Sequence, residues 1–279
     1  MLKKLILNIF FISLVSCSGL EVLEKFEPKK ELKISPGQLK LIDVPPLATK
    51  ISCGEEVILP SHNPNRSYYV FAESYFSSRK VVSCEIFQEN KKLYEQKISV
   101  ITKNYPFETL SVNPKRVKLN KKDLKRVIKE RKVLKKIYGN FGDKLLVDKK
   151  FSIPLQSKVT SFYGTRRLFN NVRKSQHLGI DYRAKVGVLI PSSNKGTVVL
   201  AQDLFYTGNT VIIDHGLGIF TLYGHLSKIL VNKGDIVERL EILGQAGKTG
   251  RVTGPHLHWG VKVNGHWVDG DILSELKLP

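Results

Sequence analysis

The chain has 279 residues, of which 42% are hydrophobic, with 21 glycines and 12 prolines. This length accommodates two modest domains, and the composition excludes wholesale disorder and indicates a globular protein with many turns. The formal net charge of +20 favours polyanionic partners such as anionic lipid or an acidic wall polymer. No zinc-finger, homeodomain or RNP-type motif occurs, which argues against nucleic acid as the partner.

Residues 1–16 have the pattern of a signal peptide, because Lys3 and Lys4 precede an apolar run too short for a comfortable membrane span. The run ends in LVSC, which resembles the bacterial lipobox, in which cleavage leaves a lipidated cysteine at the N-terminus. The resemblance implies lipidation of Cys17, export and a membrane anchor; an ordinary signal peptide with an incidental cysteine is the alternative. By analogy with Gram-negative lipoproteins, Ser18 favours the outer membrane, with the protein facing the periplasm.

Residues 17–38 are charged and contain two prolines, which fits a tether. Residues 39–111 follow with runs rich in Tyr, Val, Ile and Phe between turn signals, and they predict a small antiparallel β domain. An exported chain with two further cysteines can form one disulfide, here between Cys53 and Cys84. Two free buried thiols are the alternative.

Residues 112–150 are predicted to form a basic helix and a linker. The clear helical segment is 120–138, with Asn120 as N-cap and Gly139 as the C-terminal stop. Its apolar stripe at helical spacing comprises Leu124, Val127, Ile128, Leu134, Ile137 and Tyr138. Lysines and arginines cover the other face, which favours a solvated helix docked between domains over a dedicated polyanion-binding device.

Residues 151–279 alternate short β-branched runs with glycine-containing turns, and Asn264-Gly265 between two apolar runs is a strong hairpin signal. Such a pattern predicts a compact β-barrel or sandwich. This segment also contains six of the seven histidines of the chain. The concentration of imidazoles points to chemistry in this segment.

Five of its side chains are candidates for a metal centre. His177 and Asp181 lie four residues apart, and His225 follows in YGHLS. His256 and His258 stand two positions apart on a predicted strand, so their side chains point to the same face. A catalytic zinc typically takes three protein ligands and leaves a position for water, so two of the five groups must stand outside the ligand set. Spacing does not show which two.

The segments HLGIDYRAKVG, GNTVIIDHGLGIFTLYGHLS, VNKGDIV and GKTGRVTGPHLHWGVKVNG closely resemble the lysostaphin/LytM-type zinc metallopeptidases, which cut peptide crosslinks of bacterial peptidoglycan. The match runs from about 155 to 270, and FYGTRR at 162–167 resembles the opening segment of the family. The resemblance implies a mainly β protein. Its C-terminal domain would be a LytM-like β-barrel or sandwich (the duplicated hybrid motif), preceded by one linking helix and the small N-terminal β domain.

The resemblance also implies the division of roles that spacing leaves open. It assigns one Zn²⁺ per chain to His177, Asp181 and His258, and it places His256 and His225 beside the water and the substrate. We take His256 as the general base, with His225 stabilising the oxyanion or passing a proton to the leaving amine; the two roles are interchangeable on this basis.

The expected function is therefore hydrolysis of peptidoglycan peptide crosslinks by a zinc endopeptidase. The alternative is a LytM-like binding module that activates a partner amidase, and retention of all five groups argues against it. A weaker possibility is general proteolysis of glycine-rich peptides. The basic helix or the N-terminal β domain could also cover the cleft, and the oligomeric state is left open.

The neighbouring residues receive plainer interpretations. His215 lies in a turn and is expected to be structural, and Trp259 is expected to face away from the metal and pack. Tyr223 is a candidate lining residue of the cleft because it stands two positions before His225. His266 follows the hairpin turn and is expected to be exposed or packed with Trp267.

Overall fold

The computed structural model describes residues 26–29, 31–63, 66–110, 119–142, 144–147, 150–171 and 173–276. The predicted signal peptide and Cys17 lie outside the described residues. The described chain is mainly β with two helices, which confirms the predicted fold class. Neither of these helices has the length and apolar character needed to cross a membrane.

In the described residues, nine strands precede the first helix. They are β1 (Leu32–Ile34), β2 (Leu39–Asp43), β3 (Lys50–Cys53), β4 (Glu56–Ile58), β5 (Ser61–Asn63), β6 (Arg66–Ala72), β7 (Val81–Gln88), β8 (Lys91–Val100) and β9 (Phe107–Leu110). One sheet has the order β1-β8-β7-β3-β4, and a second has the order β2-β6-β5.

Helix α1 (Lys121–Tyr138) leads into the C-terminal half. The strands there are β10 (Val159–Ser161), β11 (Arg166–Phe169), β12 (Arg173–Gln176), β13 (Ile180–Arg183), β14 (Leu189–Pro191), β15 (Gly196–Leu204), β16 (Gly208–Asp214), β17 (Ile219–Ile229), β18 (Ile236–Val237), β19 (Ile242–Ala246), β20 (His256–Val263) and β21 (His266–Val268), and the chain continues into helix α2 (Gly270–Glu275). The main sheet has the order β10-β13-β20-β17-β16-β15-β18.

Strand β6 is apolar at successive positions and does not alternate between apolar and polar residues. Tyr69 and Phe71 pack into the core between the two N-terminal sheets. Tyr68 and Val70, on the other face of the strand, pack into the core of the C-terminal half. Because both faces are buried, the strand carries no polar face. The N-terminal β region is therefore built onto the C-terminal half through a shared core.

Two short strands extend the N-terminal region beyond the predicted pattern. Strand β1 lies within the segment predicted to be a tether, and it pairs with β8 in parallel rather than antiparallel register. Leu32 and Ile34 are buried and Lys33 is exposed, an alternation that is too short to stand out among charged neighbours. Strand β9 pairs in parallel with β11 and so joins the C-terminal half instead of either N-terminal sheet.

The two cysteines of the N-terminal region face each other across paired strands. Cys53 on β3 is the register partner of Cys84 on β7, and the two sulfurs form a disulfide. The bond closes a loop with a sequence separation of 31 residues. By the chain-entropy model such a loop stabilises the folded state by about 4 kcal/mol.

The C-terminal sheet presents two different faces along strand β20. Leu257, Trp259 and Val261 point into the core shared with β6. By alternation, His256, His258 and Lys262 lie on the opposite face. The hairpin that ends β20 turns at Asn264 and Gly265, which both have positive φ (46° and 83°), as the sequence signal predicts.

Helix α1 packs on the face of the sheet that carries these histidines, farther along the strands. Asn120 caps the helix by accepting a hydrogen bond from the Asp123 amide. Leu134, Ile137 and Tyr138 pack against a second cluster. The buried members of that cluster are Leu200, Leu204, Ile212, Phe220 and Leu222. The helix therefore docks on the sheet of the C-terminal half through the C-terminal part of its apolar stripe, whereas docking between domains was expected.

Candidate metal centre

Three neighbouring strands bring the candidate groups together. Asp181 on β13 is the register partner of His258 on β20, and His258 is in turn the partner of Gly224 on β17. His225 follows Gly224 directly, and His177 lies between β12 and β13. The sheet order thus gathers side chains that are up to 81 residues apart in the sequence.

His177, Asp181 and His258 form a compact triangle of donor atoms. Nε2 of His177 lies 2.9 Å from Oδ1 of Asp181 and 3.1 Å from Nδ1 of His258. The same Asp181 oxygen lies 2.8 Å from Nδ1 of His258. Ligand atoms of a tetrahedral zinc with bonds of about 2.0–2.1 Å lie about 3.3 Å apart, so this set fits one cation.

The protonation state of His177 supports the same interpretation. Its Nδ1 lies 3.1 Å from the Phe162 carbonyl oxygen, which can only accept, so Nδ1 carries the hydrogen. In the tautomer with its hydrogen on Nδ1, Nε2 directs a lone pair into the triangle. Burial alone would raise the pKa of Asp181, but its close contacts with the imidazoles of His177 and His258 hold that pKa well below its usual range, so the carboxylate is ionised.

Gly179 makes room for the triangle. A Cβ atom at this position would lie 2.5 Å from Cε1 of His258 and 2.8 Å from its Nε2. The imidazole of a proposed ligand therefore occupies the space of the missing side chain. This contact explains why a glycine stands between His177 and Asp181.

His225 approaches the triangle from β17 through an unusual backbone conformation. Its φ is +63°, in the left-handed region, and its amide donates to the Thr207 carbonyl at 2.6 Å. Nδ1 of the ring lies 2.9 Å from the Thr249 carbonyl oxygen and must be the donor there. Nε2 of the neutral ring is left as an acceptor, and burial lowers the pKa of this imidazole to about 3.

His256 is arranged in the same way. Its Nδ1 lies 2.9 Å from the Gly254 carbonyl oxygen, so Nδ1 donates and Nε2 is the acceptor. That Nε2 lies 3.7 Å from Oδ1 of Asp181. The rings of His225 and His256 are 4.7 Å apart between centroids. All five predicted groups therefore meet at one place, with two imidazoles beside the triangle.

Residues 175–270 match the sequence model of peptidase family M23. This range contains all five groups of the site. Residues 175–270 form a peptidase family M23 domain. The match confirms the predicted resemblance.

Two known proteins resemble part of the chain. Peptidoglycan DD-endopeptidase ShyA of Vibrio cholerae is 38% identical over 134 residues, which cover 47% of this chain and 31% of ShyA. DD-carboxypeptidase/endopeptidase Mpg of Neisseria meningitidis is 36% identical over 131 residues, which cover 47% of this chain and 28% of Mpg. The chain thus spans about a third of the length of these curated relatives.

One solved structure resembles most of the chain. A Pseudomonas aeruginosa crystal structure described as a peptidase M23 aligns with a TM-score of 0.69 at 26% identity. The alignment covers 86% of this chain and 94% of that one. The M23 domain comprises only residues 175–270, which is much less than the aligned part of the chain. The structural similarity therefore extends to the N-terminal strands.

Tyr223 does not line the cleft of the M23 domain, contrary to the interpretation of its spacing. It is fully buried in the core, and its hydroxyl accepts a hydrogen bond from the Ser193 amide at 2.7 Å. Strand alternation would place Tyr223 and His225 on one face, but the left-handed conformation of His225 breaks the alternation. His225 therefore reaches the site while Tyr223 remains inside.

His266 and Trp259 have structural positions. Nε2 of His266 lies 2.9 Å from a carboxylate oxygen of Glu56 on β4, so this imidazole links the M23 domain to the N-terminal sheet. Trp259 is fully buried in the core and faces away from His258, as alternation along β20 predicts.

His215 is buried in the M23 domain and makes the chain sensitive to acid. Nδ1 donates to the Lys195 carbonyl at 2.7 Å, and burial lowers the pKa of this imidazole from 6.5 to about 4. Between these two values the unfolded chain binds the additional proton, so stability is complete above pH 6.5 and is lost as the pH falls towards 4. The loss amounts to about 3 kcal/mol.

Urea unfolding at pH 7 and at pH 4.5 measures this loss, with His215→Gln as the comparison. The substitution itself is expected to destabilise the fold, but the free energy of unfolding of the variant should fall less between the two pH values. The carboxylates and the other histidines contribute equally to the pH dependence of unfolding in both proteins, so their contributions cancel in the comparison. Equal pH dependence in the two proteins would contradict the role assigned to His215.

A cavity of about 400 Å³ opens beside the loop that follows Thr249. Its lining comes from helix α1, the β15–β16 turn and the loop after Thr249: Leu119, Asp123, Arg126, Asp203, Leu204, Phe205, Gly250, Arg251 and Val252. The carbonyl of Thr249, which receives the hydrogen bond from His225, stands next to this lining. Helix α1 thus contributes one wall of a cavity adjoining the metal centre.

Proposed function

We propose that the chain is a zinc metalloendopeptidase that hydrolyses peptide crosslinks of bacterial peptidoglycan. One observation carries the proposal: three ligand atoms converge within hydrogen-bond distance of one another, and two further imidazoles stand beside them. The M23 domain and the names of relatives such as peptidoglycan DD-endopeptidase ShyA support the choice of substrate.

His177, Asp181 and His258 would hold the zinc ion through Nε2, Oδ1 and Nδ1 respectively. When bound, zinc supplies a Lewis acid for the scissile carbonyl and lowers the pKa of a water molecule. Two imidazoles and one carboxylate are a ligand set found in catalytic zinc sites, in which a fourth position stays open.

His256 would act as the general base. Its Nδ1–H is held by the Gly254 carbonyl, so Nε2 presents a lone pair towards Asp181 and can accept the proton of the attacking water. The imidazolium that forms can then release the proton to the leaving amine.

His225 has the same hydrogen-bonding arrangement, with Nδ1–H held by the Thr249 carbonyl. Its neutral ring therefore offers an acceptor, and it becomes a donor at Nε2 only after taking up a proton. We propose that His225 assists proton transfer to the leaving group, and that it donates to a developing oxyanion only in its protonated form.

The place of action is part of the same proposal. Cleavage after Ser16 with lipidation of Cys17 would anchor the protein to a membrane of the envelope, and Ser18 favours the outer membrane, facing the periplasm. The formal net charge of +20 would favour association with an anionic wall or lipid surface.

Digestion of purified sacculi by residues 26–279 tests the activity. We expect crosslinked muropeptide dimers to be converted to monomers, the conversion to stop with a zinc chelator, and activity to return on addition of zinc. Mass spectrometry of the released fragments identifies the bond that is cut. Absence of cleavage by the zinc-loaded chain, together with stimulation of a partner amidase, would replace the proposal with the binding-module alternative.

A further inference from the structure

Arg167 lies directly behind the metal centre, on strand β11. Its Nη2 donates to the hydroxyl of Ser161 at 2.5 Å and lies 3.8 Å from Oδ2 of Asp181. Only 22% of the side chain is exposed. The guanidinium therefore contacts Ser161 and lies near Oδ2 of Asp181, the carboxylate oxygen that does not face the imidazoles.

The two oxygens of Asp181 have different partners. Oδ1 faces His177 and His258, whereas Oδ2 faces Arg167. A second contact runs through Ser161, whose hydroxyl lies 3.2 Å from Nδ1 of His177. Arg167 is thus connected to two of the three proposed ligands, once directly and once through a hydroxyl.

Arg167 is itself held by a residue outside the M23 domain. Its register partner on β9 is Glu108, and a carboxylate oxygen of Glu108 lies 3.5 Å from Nε of Arg167. That Nε is buried and makes no hydrogen bond to the described residues, and the Glu108 carboxylate forms an ion pair with it. Strand β9 precedes the matched range 175–270 by more than sixty residues.

We propose that Arg167 is a positioning residue of the metal centre, and that Glu108 on strand β9 holds it in place. The inference rests on the proposed zinc site but not on the identity of the substrate. Through its ion pair with Oδ2 of Asp181, at 3.8 Å, Arg167 favours the orientation in which Oδ1 faces His177 and His258.

Two physical effects of Arg167 oppose each other. Its positive charge repels a bound cation, but its guanidinium orients the Asp181 carboxylate and, through Ser161, His177. Partners that orient metal ligands typically contribute 10- to 100-fold to metal affinity. Orientation prevails if Arg167→Ala weakens zinc binding, and repulsion prevails if it tightens it.

The zinc dissociation constant, measured by competition with a chromophoric chelator on residues 26–279, decides between them. We expect Arg167→Ala to raise this constant roughly 10- to 100-fold. Lys174→Ala, which removes an exposed positive charge from the same β11–β12 hairpin, should change it less than about twofold. The visible absorption of the Co²⁺-substituted protein should also change in Arg167→Ala, because that spectrum reports ligand geometry.

Glu108→Gln tests the second half of the proposal. It should weaken zinc binding less than Arg167→Ala does, and the double variant should bind no more weakly than Arg167→Ala alone, since Glu108 acts through Arg167. Additive effects would overturn the role of Glu108. If Arg167→Ala fails to fold, Glu108→Gln alone carries the test, and an unchanged Co²⁺ spectrum and zinc constant would then overturn the proposal.

The possible failures are distinguishable. A wild-type chain that binds zinc while Arg167→Ala binds it equally well or more tightly overturns the positioning role and leaves the proposed function intact. A wild-type chain that binds no zinc overturns both. A zinc-binding chain that cuts no peptidoglycan overturns only the proposed function.

Discussion

His258→Ala should lower kcat/KM for crosslink cleavage by roughly a thousandfold or more and remove most of the bound zinc. Nδ1 of His258 lies 2.8 Å from Oδ1 of Asp181 and 3.1 Å from Nε2 of His177. Removal of the His258 imidazole therefore leaves only two of the three proposed ligands. The Lewis acid contributes several kcal/mol to catalysis, and each 1.36 kcal/mol is tenfold in rate. Zinc content by elemental analysis and muropeptide release from sacculi measure the two effects.

His225→Ala is the matched comparison, because this imidazole stands beside the triangle without belonging to it. It should keep its zinc and lose about 10²- to 10⁴-fold in kcat, the range expected when an acid–base group is removed. Comparing the two variants therefore distinguishes a metal ligand, whose removal releases zinc, from a proton-transfer residue, whose removal lowers only the rate. Equal loss of zinc in both variants would contradict the division of roles, as would full activity in either.

Residues 151–279 alone should fail to form a stable domain. The core of the C-terminal half includes side chains from the N-terminal region that are at most 8% exposed, namely Leu39, Tyr68, Val70, Ala72 and Tyr105. At roughly 2 kcal/mol for each large side chain, their removal costs on the order of 8 kcal/mol, which is comparable with the whole stability of a domain. The hydrogen bond from Asn264 Nδ2 to the Val70 carbonyl, 2.7 Å long, is lost as well.

Thermal unfolding followed by near-UV circular dichroism measures this effect against residues 26–279. We expect either no cooperative transition or an unfolding temperature lower by roughly 15 °C or more. A cooperative transition within a few degrees of that of the longer chain would show that the shared core contributes little. Since the shorter chain is expected to be unstable, comparing its activity with that of the longer one does not test whether the N-terminal region inhibits the enzyme.

Local patterns predicted the parts of the site that lie on regular strands. Alternation placed His256 and His258 on one face of β20, and the hairpin at Asn264-Gly265 followed from the need for two positive φ values. The assignment of three ligands among five candidates came from family resemblance. Spacing along a strand shows which way a side chain points, but it does not show which side chains of other strands lie near it.

Other features depend on contacts that no local pattern contains. The left-handed φ of His225 cancels the alternation from which a cleft position was predicted for Tyr223. The parallel pairing of β9 with β11, which brings Glu108 to Arg167, joins segments almost sixty residues apart. Neither a turn signal nor a hydrophobic period indicates such a partner, and the segment FYGTRR resembles only the opening of the family pattern.

Gly179 shows how the proposed metalloenzyme could lose its metal while every proposed ligand remains in the sequence. Its missing side chain is the space in which the His258 ring lies, at 2.5 Å from where a Cβ would be. Replacement by alanine, one base change away in the genetic code, would displace that ring without altering any of the five residues by which active members are recognised. A descendant of this protein could therefore become a pure binding module, and an inventory of its zinc ligands would still describe it as a hydrolase.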